Sequence, residues 1–305
     1  MLMRLLACAA LLASSAALGQ PFVRTQIDDT GVCIYWGERG FTFHLDSAGS
    51  ARTPGDTELT AIEAAFQSWQ TVSNLCSDFQ FTEGNRVSAP KVGYTPGATD
   101  NQNVITFREQ SCADVVPPGD PCLSDDSCAN AYRCWDHDTL VIALTTSTFN
   151  IHTGVILDAD MELNAAPQFG GPGFLFTTVS APPCTSSIST DCVATDVQNT
   201  LTHEIGHMVG LAHTDNPGST MEPTAPLGET HKRVIDIGTA QGFCSIYPPG
   251  RPSNSACEVT DQASEKIVAS SAGTGPIGCA ASGGGEGLLS VLGAALWWTR
   301  RRRAV

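Results

Sequence analysis

Residues His203 to His213 read His-Glu-Ile-Gly-His-Met-Val-Gly-Leu-Ala-His, and no other stretch of the chain restricts its fold so tightly. Around it, Val197, Leu201, Ile205 and Met208 recur at helical spacing, which predicts an amphipathic helix over about Asp196 to Val209, capped by Thr195 or Asp196. His203 and His207 are four apart, so one face of that helix turns both imidazoles to the same point. Gly210 can take up left-handed backbone, end the helix sharply and send the chain back so that His213 supplies a third nitrogen. Three neutral nitrogens suit Zn²⁺ with its fourth position open, whereas a structural zinc site fills all four. Glu204 is then placed to take a proton from water, whose pKa zinc lowers from about 16 towards 7, and to pass it to a leaving amine. The bland alternative is a helix whose histidines face solvent or fill a core.

The rest of the chain is that of a folded, exported protein. Of its 305 residues 42% are hydrophobic and 15% charged, enough apolar content for a packed core. A balance of 16 Lys and Arg against 31 Asp and Glu, net −15, disfavours nucleic acid as a partner. Twelve cysteines point to disulfides and an oxidising compartment. Alternation predicts strands at Phe41–Leu45, Phe79–Phe81, Val104–Phe107, Thr139–Thr145 and Val155–Asn164. Leu59, Ile62, Phe66 and Trp69 predict an earlier helix, with Thr57 or Thr60 as cap and Glu63 completing a capping box. Strands and one helix ahead of a second helix suit an α/β domain with a mixed sheet.

His203 to His213 resembles the metzincin signature, and Met221, eight residues beyond His213, stands where metzincins place the Met-turn beneath zinc. Within that clan the chain is similar to the matrixins. Ala64-Ala65-Phe66-Gln67-Ser68-Trp69, Leu157 to Asn164, and Ser245-Ile246-Tyr247-Pro248 carry the likeness, which runs from about Val32 to Pro248. It implies a twisted five-stranded sheet, two long helices and a small C-terminal subdomain with a third helix beginning near Asp236. It further implies a zinc endopeptidase with His203, His207 and His213 on the metal, Glu204 as general base and acid, and Gly210 and Met221 as structural supports. An extended peptide substrate would lie along an edge strand, with Pro223 in the outer wall of an apolar pocket. The chain departs from the family at Glu222, where matrixins usually have tyrosine. It also shows no cysteine-switch propeptide, although Cys33 stays a formal candidate for a thiol on zinc, and it carries a four-cysteine insertion between Ser111 and His137 that rims the cleft or lies far from it. A metzincin of another subfamily would require a tyrosine on the metal, and the nearest downstream is Tyr247. A reading from another class is a surface binding or adhesion protein that keeps this fold without turnover.

Asp158, Asp160 and Glu162 alternate along one strand and share a face. Structural calcium and a solvated acidic edge both account for them, as they do for Asp120, Asp125 and Asp126. His44, His137, His152 and His231 lack ligand spacing, so a second zinc is not expected. The simplest disulfide set nests Cys122–Cys128 inside Cys112–Cys134 and adds Cys184–Cys192, Cys33–Cys76 and Cys244–Cys257, with many other connectivities open.

The two ends read as addresses. Met1 to Gly19 has the positive start, apolar run and small-residue cleavage site of a secretory signal. A catalytic domain at 20–249 and a linker at 250–277, rich in Pro, Ser, Gly and Ala, follow. Gly278 to Val305 combines Cys279, a short apolar segment with Trp297 and Trp298, and Arg300 to Arg303. That layout resembles the MYXO-CTERM sorting tail of myxobacterial surface proteins. It implies envelope sorting machinery as a partner, besides protein or peptide substrates of a monomeric enzyme.

Overall fold

The computed structural model describes residues 21–257, apart from 169, 170, 172 and 186. The signal peptide, residues 258–277 of the linker and the sorting tail lie outside the described residues. Five longer strands make up most of the main sheet: β1 Gly40–Leu45, β2 Gln80–Glu83, β3 Asn103–Arg108, β4 Ala143–Phe149 and β5 Val155–Asn164. Their order is β2-β1-β3-β5-β4, all parallel except β4, which runs antiparallel to β5. A two-residue strand, Tyr35–Trp36, also pairs with the start of β5. The sheet is mixed, as expected, but this short strand gives it six strands rather than five. Its last strand begins at Ala143 rather than Thr139, because the Leu140 amide donates to Asp138 Oδ1 and the Asn164 side chain takes the Val141 carbonyl, which bends the chain before pairing begins.

Period-two alternation sorts the side chains of the sheet. Phe41, Phe43 and Leu45 of β1, Ile105 and Phe107 of β3, and Met161 and Leu163 of β5 join one buried apolar core. Helices α1 (Thr57–Cys76) and α2 (Val197–Met208) cover that face, and α3 (Ile237–Ile246) follows in the small C-terminal part. Trp69 of α1, fully buried, donates its indole N–H to the Thr202 carbonyl of α2 at 2.9 Å and locks the two helices together. The capping box predicted for α1 does not form. Thr57 is already helical, the preceding Asp56 lies in left-handed backbone without a side-chain cap, and the Thr57 hydroxyl meets Pro54 O and Thr178 Oγ1. At α2 the expected cap is Asp196, whose carboxylate accepts from the Asn199 amide at 2.8 Å.

The opposite sheet face corrects the reading of the alternating carboxylates. Asp158, Asp160 and Glu162 are all buried, at 2%, 0% and 2% exposure, so they form no solvated edge. Among the described residues the His, Cys, Asp and Glu group close enough to share a metal is formed by three histidines and does not include these carboxylates. Asp160 accepts the backbone amides of Gly93 and Val104 at 2.6 and 2.8 Å. Burial pushes its carboxyl well above the usual range, and Asp158 beside it adds to the effect. Glu162 pairs with fully buried Arg108 at 2.6 Å and meets His137 at 3.3 Å.

The four-cysteine insertion covers this face. Three four-residue helices, Cys112–Val115, Cys122–Asp125 and Cys128–Ala131, are braced by the expected nested pair Cys112–Cys134 and Cys122–Cys128. Arg108 reaches from the sheet to the Ala129 carbonyl, and Arg133 returns to Asp46 at 2.7 Å, so the insertion docks away from α1 and α2. Asp120 and Asp125 hold local turns: Asp120 accepts from the Cys122 amide and the Tyr132 hydroxyl, and Asp125 from Ser127.

Cys184–Cys192 also forms as expected, but the two remaining pairs differ from the expected set. They are Cys33–Cys257 and Cys76–Cys244. The end of α1 packs against α3, which brings Cys76 to Cys244. Residues 254–257 return to the N-terminal segment, where Val32 bridges Ala256 and buried Arg24 donates to the Ala256 carbonyl, which brings Cys257 to Cys33. Cys33 is thus a fully buried disulfide partner and not a free thiol for zinc. The chain stays tied to the body as far as Cys257, past the expected boundary at 249.

Candidate metal centre

The site is built on α2. His203 and His207 project from one face of it, and the helix ends at Gly210, whose φ of +94° lies where glycine is favoured. A side chain at Gly210 would also come within 2.5 Å of the Ile34 carbonyl, so two constraints select glycine there. The carbonyls freed at the helix end are taken up: Trp36 Nε1 donates to Met208 O at 2.9 Å and the Tyr247 hydroxyl to Val209 O at 3.0 Å. Tyr247 is buried in that capping role. Beyond Gly210, Leu211–Ala212 pairs antiparallel with Val23–Arg24, which carries His213 back over the helix.

Three Nε2 atoms meet as a result. His203 and His213 are 3.1 Å apart, His207 and His213 3.1 Å, and His203 and His207 3.2 Å. Zinc–nitrogen bonds of about 2.0–2.1 Å at tetrahedral angles put ligand nitrogens roughly 3.3 Å apart, so the donor set fits that ion. Two of the other ring nitrogens are engaged: His203 Nδ1 donates to Thr220 O at 2.6 Å and His207 Nδ1 to Leu211 O at 3.0 Å. Each bond fixes the tautomer that leaves the Nε2 lone pair free. Burial, reinforced by the neighbouring imidazoles and Lys232, holds His203 well below the usual histidine range and pushes His213 down to about 4. Neutral rings are the ligand form.

Met221 lies fully buried beneath the helix, its backbone carbonyl accepting from the Thr214 amide. A Cβ at Gly206 would come within 2.2 Å of Met221 Sδ and 3.5 Å of Trp69, which explains a glycine in mid-helix. Gly206→Ala is expected to lower stability by up to about 2 kcal/mol, because overpacking of about 1–3 kcal/mol opposes the roughly 1 kcal/mol gained in helix propensity. Urea denaturation checks this, and an unchanged midpoint would show that Met221 has room to yield.

Other residues at the site had no sequence signature. Asp236 was expected only to begin α3. Its carboxylate does cap that helix at Thr239 N, and it also accepts the Thr220 amide at 2.7 Å, one peptide unit from the carbonyl that orients His203. Buried Lys232 donates to Thr224 O and Glu229, and Asn199 of α2 donates to the same Glu229, tying the segment after Met221 to the helix. Glu222 accepts from the Gly218 amide, and Pro223 lies exposed on that segment with no hydrogen bond to the imidazoles.

Glu204 is buried at 6% exposure. Burial pushes its carboxyl up to about 7, partly offset by Thr145 of β4, whose hydroxyl lies 2.7 Å from Glu204 Oε2. A buried carboxyl at Glu204, next in the chain to His203, thus accompanies three converging imidazoles. The matrixin family model matches residues 35–248, more than two thirds of the chain and the whole of this site. This chain belongs to the matrixins, a family of zinc-dependent metallopeptidases.

Proposed function

We propose that the chain is an exported, envelope-attached zinc endopeptidase. The observation that carries the reading is the triangle of Nε2 atoms 3.1–3.2 Å on a side, with buried Glu204 next in the chain to His203. His203, His207 and His213 hold the ion; Gly210 and Met221 shape its surroundings. Zinc bound there acidifies water and polarises a carbonyl. Glu204 takes the proton that water loses and delivers it to the amine nitrogen as the peptide bond breaks. The raised carboxyl suits both halves of that exchange, since a group poised near 7 takes and releases a proton near neutral pH.

β4 pairs only with β5 among the described residues, so its outer edge is open to an extended peptide beside Glu204, in the manner of strand addition. The segment from Met221 through Pro223, held from behind by Lys232, forms the pocket wall. Five disulfides support export into oxidising surroundings, where the N-terminal signal would lead and the C-terminal tail would attach the protein to the envelope.

The test is cleavage of unfolded casein by the purified protein. Activity is expected to vanish on chelation and return on adding zinc, with one ion per chain by elemental analysis. Cleavage that persists in fully metal-free protein would remove the mechanism.

A further inference from the structure

The edge strand contributes more than a binding rail. Glu204 leaves α2 toward β4, where the Thr145 hydroxyl sits 2.7 Å from Oε2 and 3.1 Å from the Glu204 backbone carbonyl. The Thr145 backbone amide also meets the carboxyl, so this one residue holds Glu204 from its side chain and its main chain. A carboxylate can accept through either oxygen, and rotation about its terminal torsion exchanges them freely unless something holds one in place. Thr145 is suited to do so. It is β-branched, which restricts its own rotamer, and it stands in a strand paired across to Met161 of the buried core. Its hydroxyl and both acceptors therefore belong to two elements that the sheet and α2 hold rigidly.

We infer that Thr145 is a positioning residue for hydrolysis, holding Glu204 Oε2 so that Oε1 alone exchanges the proton. The inference rests on the endopeptidase reading. The O–H bond forms at Oε1 as the bond in water breaks, and that proton leaves to the amine nitrogen as the peptide C–N bond breaks. Oε2 keeps the Thr145 hydrogen bond throughout, so the carboxyl does not turn between the two transfers. The strand that aligns the substrate thereby also sets the orientation of the base, and both are placed relative to one backbone.

The experiment compares Thr145→Val, Thr145→Ser and Thr145→Ala in the full chain. It measures kcat and KM on a fluorogenic peptide, zinc content, and the visible spectrum of the cobalt-substituted protein. Valine keeps the shape and removes the hydroxyl. It is expected to lower kcat by about 10- to 100-fold, the effect of losing one hydrogen bond to a charged group, with KM, zinc content and cobalt spectrum unchanged. Serine restores the hydroxyl and is expected to recover most of kcat. Should valine fail to fold, serine against alanine reads the same hydroxyl. Parental kcat in Thr145→Val, equal impairment in the serine variant, or an altered cobalt spectrum would each overturn the role. An active parent with an unimpaired valine variant defeats this inference alone, whereas a zinc-loaded parent that cleaves nothing defeats the endopeptidase reading and this inference with it.

Discussion

Glu204→Gln is expected to reduce kcat by about 10²- to 10⁴-fold while zinc remains bound at one ion per chain. Glutamine has the shape of glutamate, and its carbonyl oxygen still accepts from Thr145, so the helix, the imidazole triangle and the strand keep their places. The proton acceptor is what disappears, since an amide cannot take the proton that water must lose. KM is expected to stay near the parental value, because the acid acts in the transition state and not in substrate binding. Steady-state kinetics beside elemental analysis separates the outcomes. Retention of more than about a tenth of parental kcat would show that another group moves the proton.

The second large effect concerns the far side of the sheet. Glu162→Ala is expected to destabilise the fold by about 3–5 kcal/mol, because it leaves the Arg108 guanidinium, at 0% exposure, buried without its charge partner. Replacing both residues by apolar ones, Arg108→Met with Glu162→Leu, is expected to recover much of that loss. Equal loss in the single and double variants in urea denaturation would show that the pair is not the source. The pH dependence has a definite sign. Burial acts to raise the Glu162 carboxyl, but the His137 hydrogen bond and the Arg108 charge outweigh it, and the folded-state value lies below the ordinary one. Its contribution is therefore complete above about pH 4.3 and disappears as pH falls through the folded value. Acid unfolding of the parent should be correspondingly steeper below that point than that of the double variant.

The site was legible because its pieces lie within one short segment. The four-residue spacing of His203 and His207, the turn at Gly210 and the return to His213 follow from helix geometry and the backbone freedom of glycine. Gly206 carries a signal of its own: a glycine inside a strongly periodic helix usually marks close packing, and here it makes room for Met221. Asp236 and Thr145 carried none. An aspartate at a helix start is accounted for by capping alone, and a threonine in a strand by its β propensity.

The sequence by itself determined the two long helices and the three imidazoles that converge, because hydrophobic period and residue spacing act between near neighbours. Alternation also placed Asp158, Asp160 and Glu162 on one face correctly. It could not say that a disulfide-braced insertion, contributed by the separate segment between Ser111 and His137, would cover that face and turn carboxylates suited to water or calcium into buried hydrogen-bond acceptors and an ion-pair partner. The tertiary structure alone decided this, as it decided that Cys33 joins Cys257 and Cys76 joins Cys244. Such pairings depend on which element ends pack together across the sheet, a relation no local spacing encodes.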